Sequence, residues 1–431
     1  MNICVVGLWH LGTVIAAGLA SIGHEVIGLD FDVSTVERLR AGQPPIFEPG
    51  LEALLQEGLK AGKLSFSIDP TVVTNAEVIW IAYDTPVDDD DRADVDFVVD
   101  HIRRLFPHLG ADASVLISSQ LPVVTTDRIA KEYSADYPNN RVSFAYSPEN
   151  LRLGKAIEVF LHPDRIVMGI SDQANRDRLD GLLKPITTHI EWMSIASAEM
   201  TKHAINAFLA LSVTFANEIA TLCESVGADA KEVERGLKSE SRIGPKAYLG
   251  PGAAFAGGTL ARDVEFLTQI GVGYQRPVHL LMAIQTSNDA HKYWTQHKLV
   301  EVVGHLSGKT IGVWGLTYKP GTDTLRRSSA IELCRFLTAA GARVQAHDPA
   351  VKHLPSDLDD KIVLCATPLD AALNADAVVL ATNWPDYKHV KPADILLITS
   401  SPVIVDIGRF LLHSLGSDSR IRYYAIGKAS S

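Results

Sequence analysis

The feature that most constrains this chain is one supersecondary pattern written twice. A buried apolar run, Ile3-Cys4-Val5-Val6, enters a turn over Gly7 to Gly12. A helix over Thr13 to Ile22 stops at Gly23-His24, and a strand Glu25 to Leu29 ends in Asp30-Phe31-Asp32. After Gly308 the same grammar returns, with strand Thr310 to Trp314, turn Gly315 to Lys319, helix Ser328 to Ala340, stop Gly341, and strand Arg343 to Ala346 running into His347-Asp348-Pro349. Each copy is a βαβ unit. Further apolar runs, Val78 to Ala82, Ser114 to Ile117, Ala377 to Ala381 and Val403 to Asp406, extend the two sheets. The runs at 78 and 114 end in polar or proline-containing loops, as parallel strands do when their carboxyl edge carries a site. The fold class is α/β, two Rossmann-like doubly wound lobes joined by a central helical region.

Between the lobes the period changes. Met200, Ala204, Phe208, Leu211, Phe215, Ile219 and Leu222 are spaced by three or four residues until Gly227 closes the run. Such a helix is about 45 Å long at about 1.5 Å per residue, a spine that joins the lobes and supports dimer formation. The expected domains are 1–190, 191–300 and 301–431, in keeping with about 150 residues per domain for a chain of 431. A formal charge of -11 and the lack of any Lys/Arg run argue against nucleic acid or an anionic membrane as partner. No stretch approaches bilayer-spanning length, and Met1 to Val6 reads as a strand rather than a leader. Cys4, Cys223, Cys334 and Cys365 are far apart, which fits a reducing, cytoplasmic compartment and no metal knuckle. The acidic run Asp88 to Asp91 reads as a solvated loop, and the histidines lack metal-ligand spacing, so no metal site is expected.

The turn at Gly7 carries most of a dinucleotide fingerprint. Gly7 and Gly12 hold its first and third glycine positions and Asp30 supplies the acid for a ribose, but Trp9 occupies the middle position, so the indole must swing away from the phosphates. Asp30 without a neighbouring Arg in sequence favours NAD over NADP. A βα turn that binds nothing has the same outline. Lys202 and Asn206, four apart, share a face of the long helix and suit an alkoxide or carbonyl oxygen during hydride transfer; a solvated Lys beside a surface Asn has that spacing too.

The chain resembles the UDP-glucose/GDP-mannose dehydrogenase family over nearly its whole length. The resemblance is carried in order by the Gly7 turn with Asp30, Glu48-Pro49-Gly50-Leu51, Thr85-Pro86, Ser147-Pro148-Glu149-Asn150-Leu151-Arg152, Glu199 to Asn206, Arg242-Ile243-Gly244, the Gly250 to Asp263 loop, Tyr318-Lys319, and Asp323 to Ser328. It implies an oxidoreductase with NAD as cofactor, a nucleotide-linked small-molecule substrate and a homodimer built on the central helices. The family's usual reaction oxidises a sugar C6 alcohol to the carboxylate in two NAD-dependent steps through a cysteine thioester. By this resemblance Lys202 and Asn206 stabilise the oxygen, Asp263 assists through water, and Glu149 serves thioester hydrolysis. Gly7, Trp9, His10, Leu11, Gly12, Asp30, Thr85 and Pro86 hold the cofactor. Tyr248 with Gly252, Phe255 and Gly257 cradles the diphosphate, Lys319 and Arg326 meet the nucleotide sugar, and Arg242 is offered to the neighbouring subunit.

Two departures matter. Where the family reads Gly-Gly-Ser-Cys-Phe-Pro-Lys-Asp, this chain reads Ala256-Gly257-Gly258-Thr259-Leu260-Ala261-Arg262-Asp263, so Thr259 stands for the nucleophilic cysteine; Gln120 likewise replaces a threonine tied to water and proton steps. A hydroxyl needs a committed base to attack and is a poor leaving group. The expected reaction is one oxidation of a primary alcohol of a nucleotide sugar or nucleotide, stopping at the aldehyde. The alternatives are a silent nucleotide-sugar-binding partner, a redox epimerase that returns the hydride, and a hydroxyacid dehydrogenase.

Overall fold

In a computed structural model the described residues are 1–88, 93–149, 151–256, 258–399 and 402–428, and the chain divides into two units, Met1–Ile205 and Asn206–Ser431. The expected residues Gly257, Asn150 and Asp89 to Asp91 lie outside the described residues.

The first unit holds an eight-stranded sheet of β1 (Asn2–Val6), β2 (Glu25–Leu29), β3 (Leu64–Ser67), β4 (Val78–Ile81), β5 (Ser114–Ile117), β6 (Ser143–Tyr146), β7 (Ile166–Gly169) and β8 (Ile190–Met193). Their order is β3-β2-β1-β4-β5-β6-β7-β8, parallel except where β6 meets β7. Alternate side chains of a strand point to opposite faces, and here both faces are buried. Ile3 and Val5 enter one core cluster while Cys4 and Val6 enter the other; Val78 and Trp80 are likewise separated from Ile79 and Ile81. Each such Val or Ile taken fully from water contributes about 1.5–3 kcal/mol, which explains why these strands read as unbroken apolar runs.

The second unit repeats the scheme with β9 (Thr310–Trp314), β10 (Arg343–His347), β11 (Ile362–Leu364), β12 (Ala377–Leu380), β13 (Val403–Asp406) and β14 (Arg422–Tyr424), ordered β11-β10-β9-β12-β13-β14 with every pair parallel. The two units also share a turn device. Gly7 and Gly315 both have positive φ, +90° and +87°, and a methyl on either would strike the loop after the neighbouring strand, at Tyr83 or Thr382 respectively. The acid that ends the next strand then binds the turn: Asp30 accepts from Leu8 N at 2.6 Å, and Asp348 from Leu316 N at 2.7 Å.

Two expectations are corrected. The first helix spans His10–Ser21 rather than starting at Thr13, because Trp9 already occupies its N-cap and shortens the turn. The expectation that no stretch reaches bilayer-spanning length also fails. The helix Ile195–Val226 has 32 residues and is long and apolar enough to cross a membrane by length and composition. Core helices of soluble proteins meet the same measure, and 44% of its most apolar stretch is buried inside the protein. Its polar groups include the buried Asn217, which binds protein backbone through Gly252 N at 2.9 Å and Ala253 O at 3.4 Å. Frequent alanines raise its average without making it apolar on every face.

Candidate functional site

In the first unit the candidate residues gather along the carboxyl edge of neighbouring strands. Gly12 packs so closely on the turn that a methyl there would sit 1.8 Å from the Gly7 carbonyl oxygen. The helix it opens has no side-chain cap, so its first N–H groups remain available to an anion. Trp9 is 49% exposed, its indole turned out toward solvent, while Leu11 is buried in the core. Asp30 accepts from Leu8 N and Asp32 N, two donors for a carboxylate with about four acceptor positions, and so retains capacity for ribose hydroxyls. The Ser119 hydroxyl, in the loop after β5, is buried without a partner among the described residues. These features fit a dinucleotide: Gly7, Gly12 and the backbone of Trp9, His10 and Leu11 would hold its pyrophosphate and Asp30 its ribose.

The His10 ring is occupied otherwise. Its Nε2 lies 3.0 Å from Glu48 Oε2, and Glu48 also receives Gly154 N at 2.8 Å and Ala156 N at 2.9 Å. Burial pushes the Glu48 carboxyl up, but the hydrogen bonds from Gly154, Ala156 and His10 outweigh it and hold the group below the usual glutamate range. The cofactor turn is thereby tied to the loop that follows Glu149.

Thr85 follows β4 and donates its hydroxyl hydrogen to the Gln120 carbonyl at 2.7 Å, while the Pro86 carbonyl accepts from Asp94 N. Glu149 follows β6; its Oε2 accepts from Leu151 N, and its backbone carbonyl accepts from Lys202 Nζ at 2.7 Å. Lys202 is 6% exposed, with the Glu149 carboxylate 3.7 Å away. Its neighbours on the long helix grip the Gln120 loop: His203 Nε2 lies 3.0 Å from the Leu121 carbonyl, and Glu199 accepts from Val124 N and Thr126 N at 2.6 and 3.0 Å. Burial pushes the Glu199 carboxyl up against the pull of those N–H groups. Val124 is held at φ 69°, a left-handed conformation that costs a β-branched residue about 1–3 kcal/mol.

In the second unit Asn206 donates from Nδ2 to Asp263 Oδ2, both side chains being buried. Thr259 is the first residue of the helix Thr259–Gly273, one turn before Asp263; it is exposed, and no described residue hydrogen-bonds its hydroxyl. Cys223 and Cys334 lie in the core around β9, β12 and β13, and burial pushes the Cys334 thiol up to about 12. The loop before Thr259 is laced down by residues that motif reading passed over. Asn217 binds Gly252, Asn288 exchanges two 2.9 Å bonds with Phe255, and His291 Nε2 lies 2.8 Å from the Gly252 carbonyl. Burial holds His291 below its usual range despite that carbonyl, so it binds as a neutral donor. Asn288 and His291 share a helix face at a spacing of three, the one signal in sequence that could have marked them.

Tyr248, Arg242, Lys319 and Arg326 are exposed, and Arg242 pairs with Glu240 at 2.9 Å. Arg327, which sequence reading passed over in favour of Arg326, brings its guanidinium to 3.7 Å from where a Gly258 methyl would stand.

Residues 1–187, 196–290 and 312–413 match the NAD binding, central and UDP binding domain models of one family. The chain belongs to the UDP-glucose/GDP-mannose dehydrogenase family. It is 34% identical to the UDP-glucose 6-dehydrogenase YwqF of Bacillus subtilis, across 99% of this chain and 98% of that one, and 33% identical to the UDP-glucose 6-dehydrogenase of Rhizobium meliloti across 99% and 100%. A solved UDP-glucose dehydrogenase from Pyrobaculum islandicum superposes with a TM-score of 0.81 at 33% identity, covering 94% of this chain and 93% of that one. This member of the UDP-glucose/GDP-mannose dehydrogenases is therefore an NAD-dependent oxidoreductase that acts on CH–OH groups of a nucleotide-linked small molecule.

Proposed function

We propose that the enzyme oxidises a primary alcohol of a UDP-linked sugar once and releases the aldehyde. The reading rests on Thr259, an exposed hydroxyl with no hydrogen-bonding base among the described residues, at the position where the family carries its cysteine. A threonine hydroxyl has a far higher pKa than a thiol, so without a base it does not add to a carbonyl at neutral pH.

One oxidation removes a hydride and a proton, giving R–CHO, NADH and H⁺ from R–CH₂OH and NAD⁺; the hydride acceptor is the chemistry NAD supplies when bound. Lys202 spends one N–H on the Glu149 carbonyl and has two left for the substrate oxygen, whose developing negative charge the ammonium stabilises. Asp263 fixes the Asn206 amide by accepting from Nδ2, which leaves the second N–H of that amide to donate. Glu149 and Gln120, tied to water and hydrolysis steps in the family, then hold Lys202 and the β5 loop rather than a thioester. Lys319, Arg326 and the 250–258 loop with Tyr248 bind the nucleotide diphosphate.

We also propose three domains, 1–190, 191–300 and 301–431, a cytoplasmic location and a homodimer. Four free cysteines support the reducing compartment. The dimer is supported by Phe208, Phe215, Leu222 and Val226, an apolar stripe at helical spacing that is 67%, 44%, 62% and 77% exposed. Counting NADH against product with purified enzyme tests the central reading. One equivalent and an aldehyde or its hydrate is expected; two equivalents and a carboxylate would overturn it.

A further inference from the structure

The dinucleotide fingerprint describes how the pyrophosphate and one ribose are held, and leaves the adenine end unassigned. A distant part of the chain reaches the carboxyl end of β2 beside Asp30. Phe31 directly follows Asp30 at the carboxyl end of β2. Arg104, just beyond the helix Val95–Arg103, lays its guanidinium over the Phe31 ring with the central carbon 3.5 Å from the ring centroid. Phe31 belongs to an aromatic cluster: His101 lies 5.6 Å from Phe31, 4.9 Å from Tyr83 and 4.3 Å from Phe97, centroid to centroid. Arg104 is exposed, and no described carboxylate pairs with it. The guanidinium is thus held over Phe31 while Arg104 stays exposed, next to the residue that follows the acid that would receive a ribose.

A planar cation in that setting suits a planar, electron-rich partner. Guanidinium stacks on aromatic faces, and a base stacked on such a surface gains without regard to its hydrogen-bonding edges. We propose that Arg104 is the platform for the adenine base of NAD, with Phe31 as its backing and Asp30 binding the adjoining ribose. The sequence hides this, since Arg104 stands far from Asp30 along the chain. The assignment concerns binding of the adenosine half and holds whichever product the reaction yields.

Titration calorimetry with ADP-ribose, which carries the adenosine half and no nicotinamide, tests it without turnover. Arg104→Ala should weaken ADP-ribose binding about tenfold, equivalent to about 1.4 kcal/mol, and leave kcat at saturating NAD unchanged. Nicotinamide mononucleotide, which has no adenine, should bind wild type and variant alike. Arg104→Lys keeps the charge and removes the plane, so it should lose nearly as much as Arg104→Ala. ADP-ribose affinity within about twofold of wild type in Arg104→Ala would overturn the proposal, as would full retention in Arg104→Lys, because charge alone would then suffice. An equal loss for nicotinamide mononucleotide would also overturn it, by showing a general disturbance of the turn. Should Arg104→Ala fail to fold, the Arg104→Lys comparison decides alone.

Discussion

Replacing Glu48 with glutamine isolates the link between the cofactor turn and the loop after Glu149. The Glu48 side chain is 1% exposed and accepts from Gly154 N at 2.8 Å, Ala156 N at 2.9 Å and His10 Nε2 at 3.0 Å. Glutamine keeps one oxygen and places an NH₂ where the other stood. In the cheaper orientation that NH₂ faces Ala156 N–H, leaving a buried donor unsatisfied at a cost of about 1–3 kcal/mol. The remaining two bonds lose their charge assistance, so Glu48→Gln should cost about 2–4 kcal/mol in all. Urea unfolding at pH 7 measures it. The pH dependence follows from the depressed pKa: the stabilisation is fully present above the ordinary glutamate value of 4.5 and is lost as pH falls through the lower folded value. Glu48→Gln has no such titration, so the gap to wild type should be widest near pH 7 and should narrow in acid. A gap under about 0.5 kcal/mol at pH 7, the size of an ordinary surface change, would refute the reasoning. So would a gap that stays constant into acid.

Thr259→Cys should raise the NADH yield per substrate toward two and produce some carboxylate, as read by product analysis; a yield still at one would show that a thiol alone is not enough. Asn288→Ala removes both bonds to Phe255 and should raise the KM for the nucleotide substrate about tenfold or more, with a smaller effect on the KM for NAD, in steady-state kinetics. Phe215→Glu places a charge in the exposed stripe and should shift the enzyme toward monomer in sedimentation velocity, while a dimer unchanged at micromolar concentration would place the interface elsewhere.

The fold was legible because its signal is local. Continuous apolar strands such as Thr310–Trp314 and Val403–Asp406 need burial on both faces, and only a helix-covered parallel sheet offers that. The long helix was legible from its period, though its hydropathy was not. The candidate site divides differently. Lys202, Asn206 and Asp263 stand in motifs that a reader can align, and the structure shows their hydrogen bonds, Lys202 to the Glu149 carbonyl and Asn206 to Asp263. The residues that hold the loops carry no comparable mark. Glu48 meets Gly154 and Ala156 across more than a hundred residues, and Asn217 meets Gly252 across 35. A lone buried carboxylate or amide looks the same in sequence as a solvated one until the chain folds back on it. Arg104 is the sharpest case: the absence of an arginine near Asp30 in sequence is true, and the folded chain puts one on the adjoining ring.

The repeated turn device ends in opposite fates for its two carboxylates. Asp348 is 5% exposed and surrounded by Leu316 N, Thr317 N, the Thr317 hydroxyl, Trp384 Nε1, Ala350 N and Val351 N, six donors against about four acceptor positions. It has nothing left with which to greet a sugar. Trp384 caps that acid with its indole nitrogen at 3.0 Å, whereas the matching acid Asp30 accepts from the backbone N–H groups of Leu8 and Asp32 and keeps acceptor positions open.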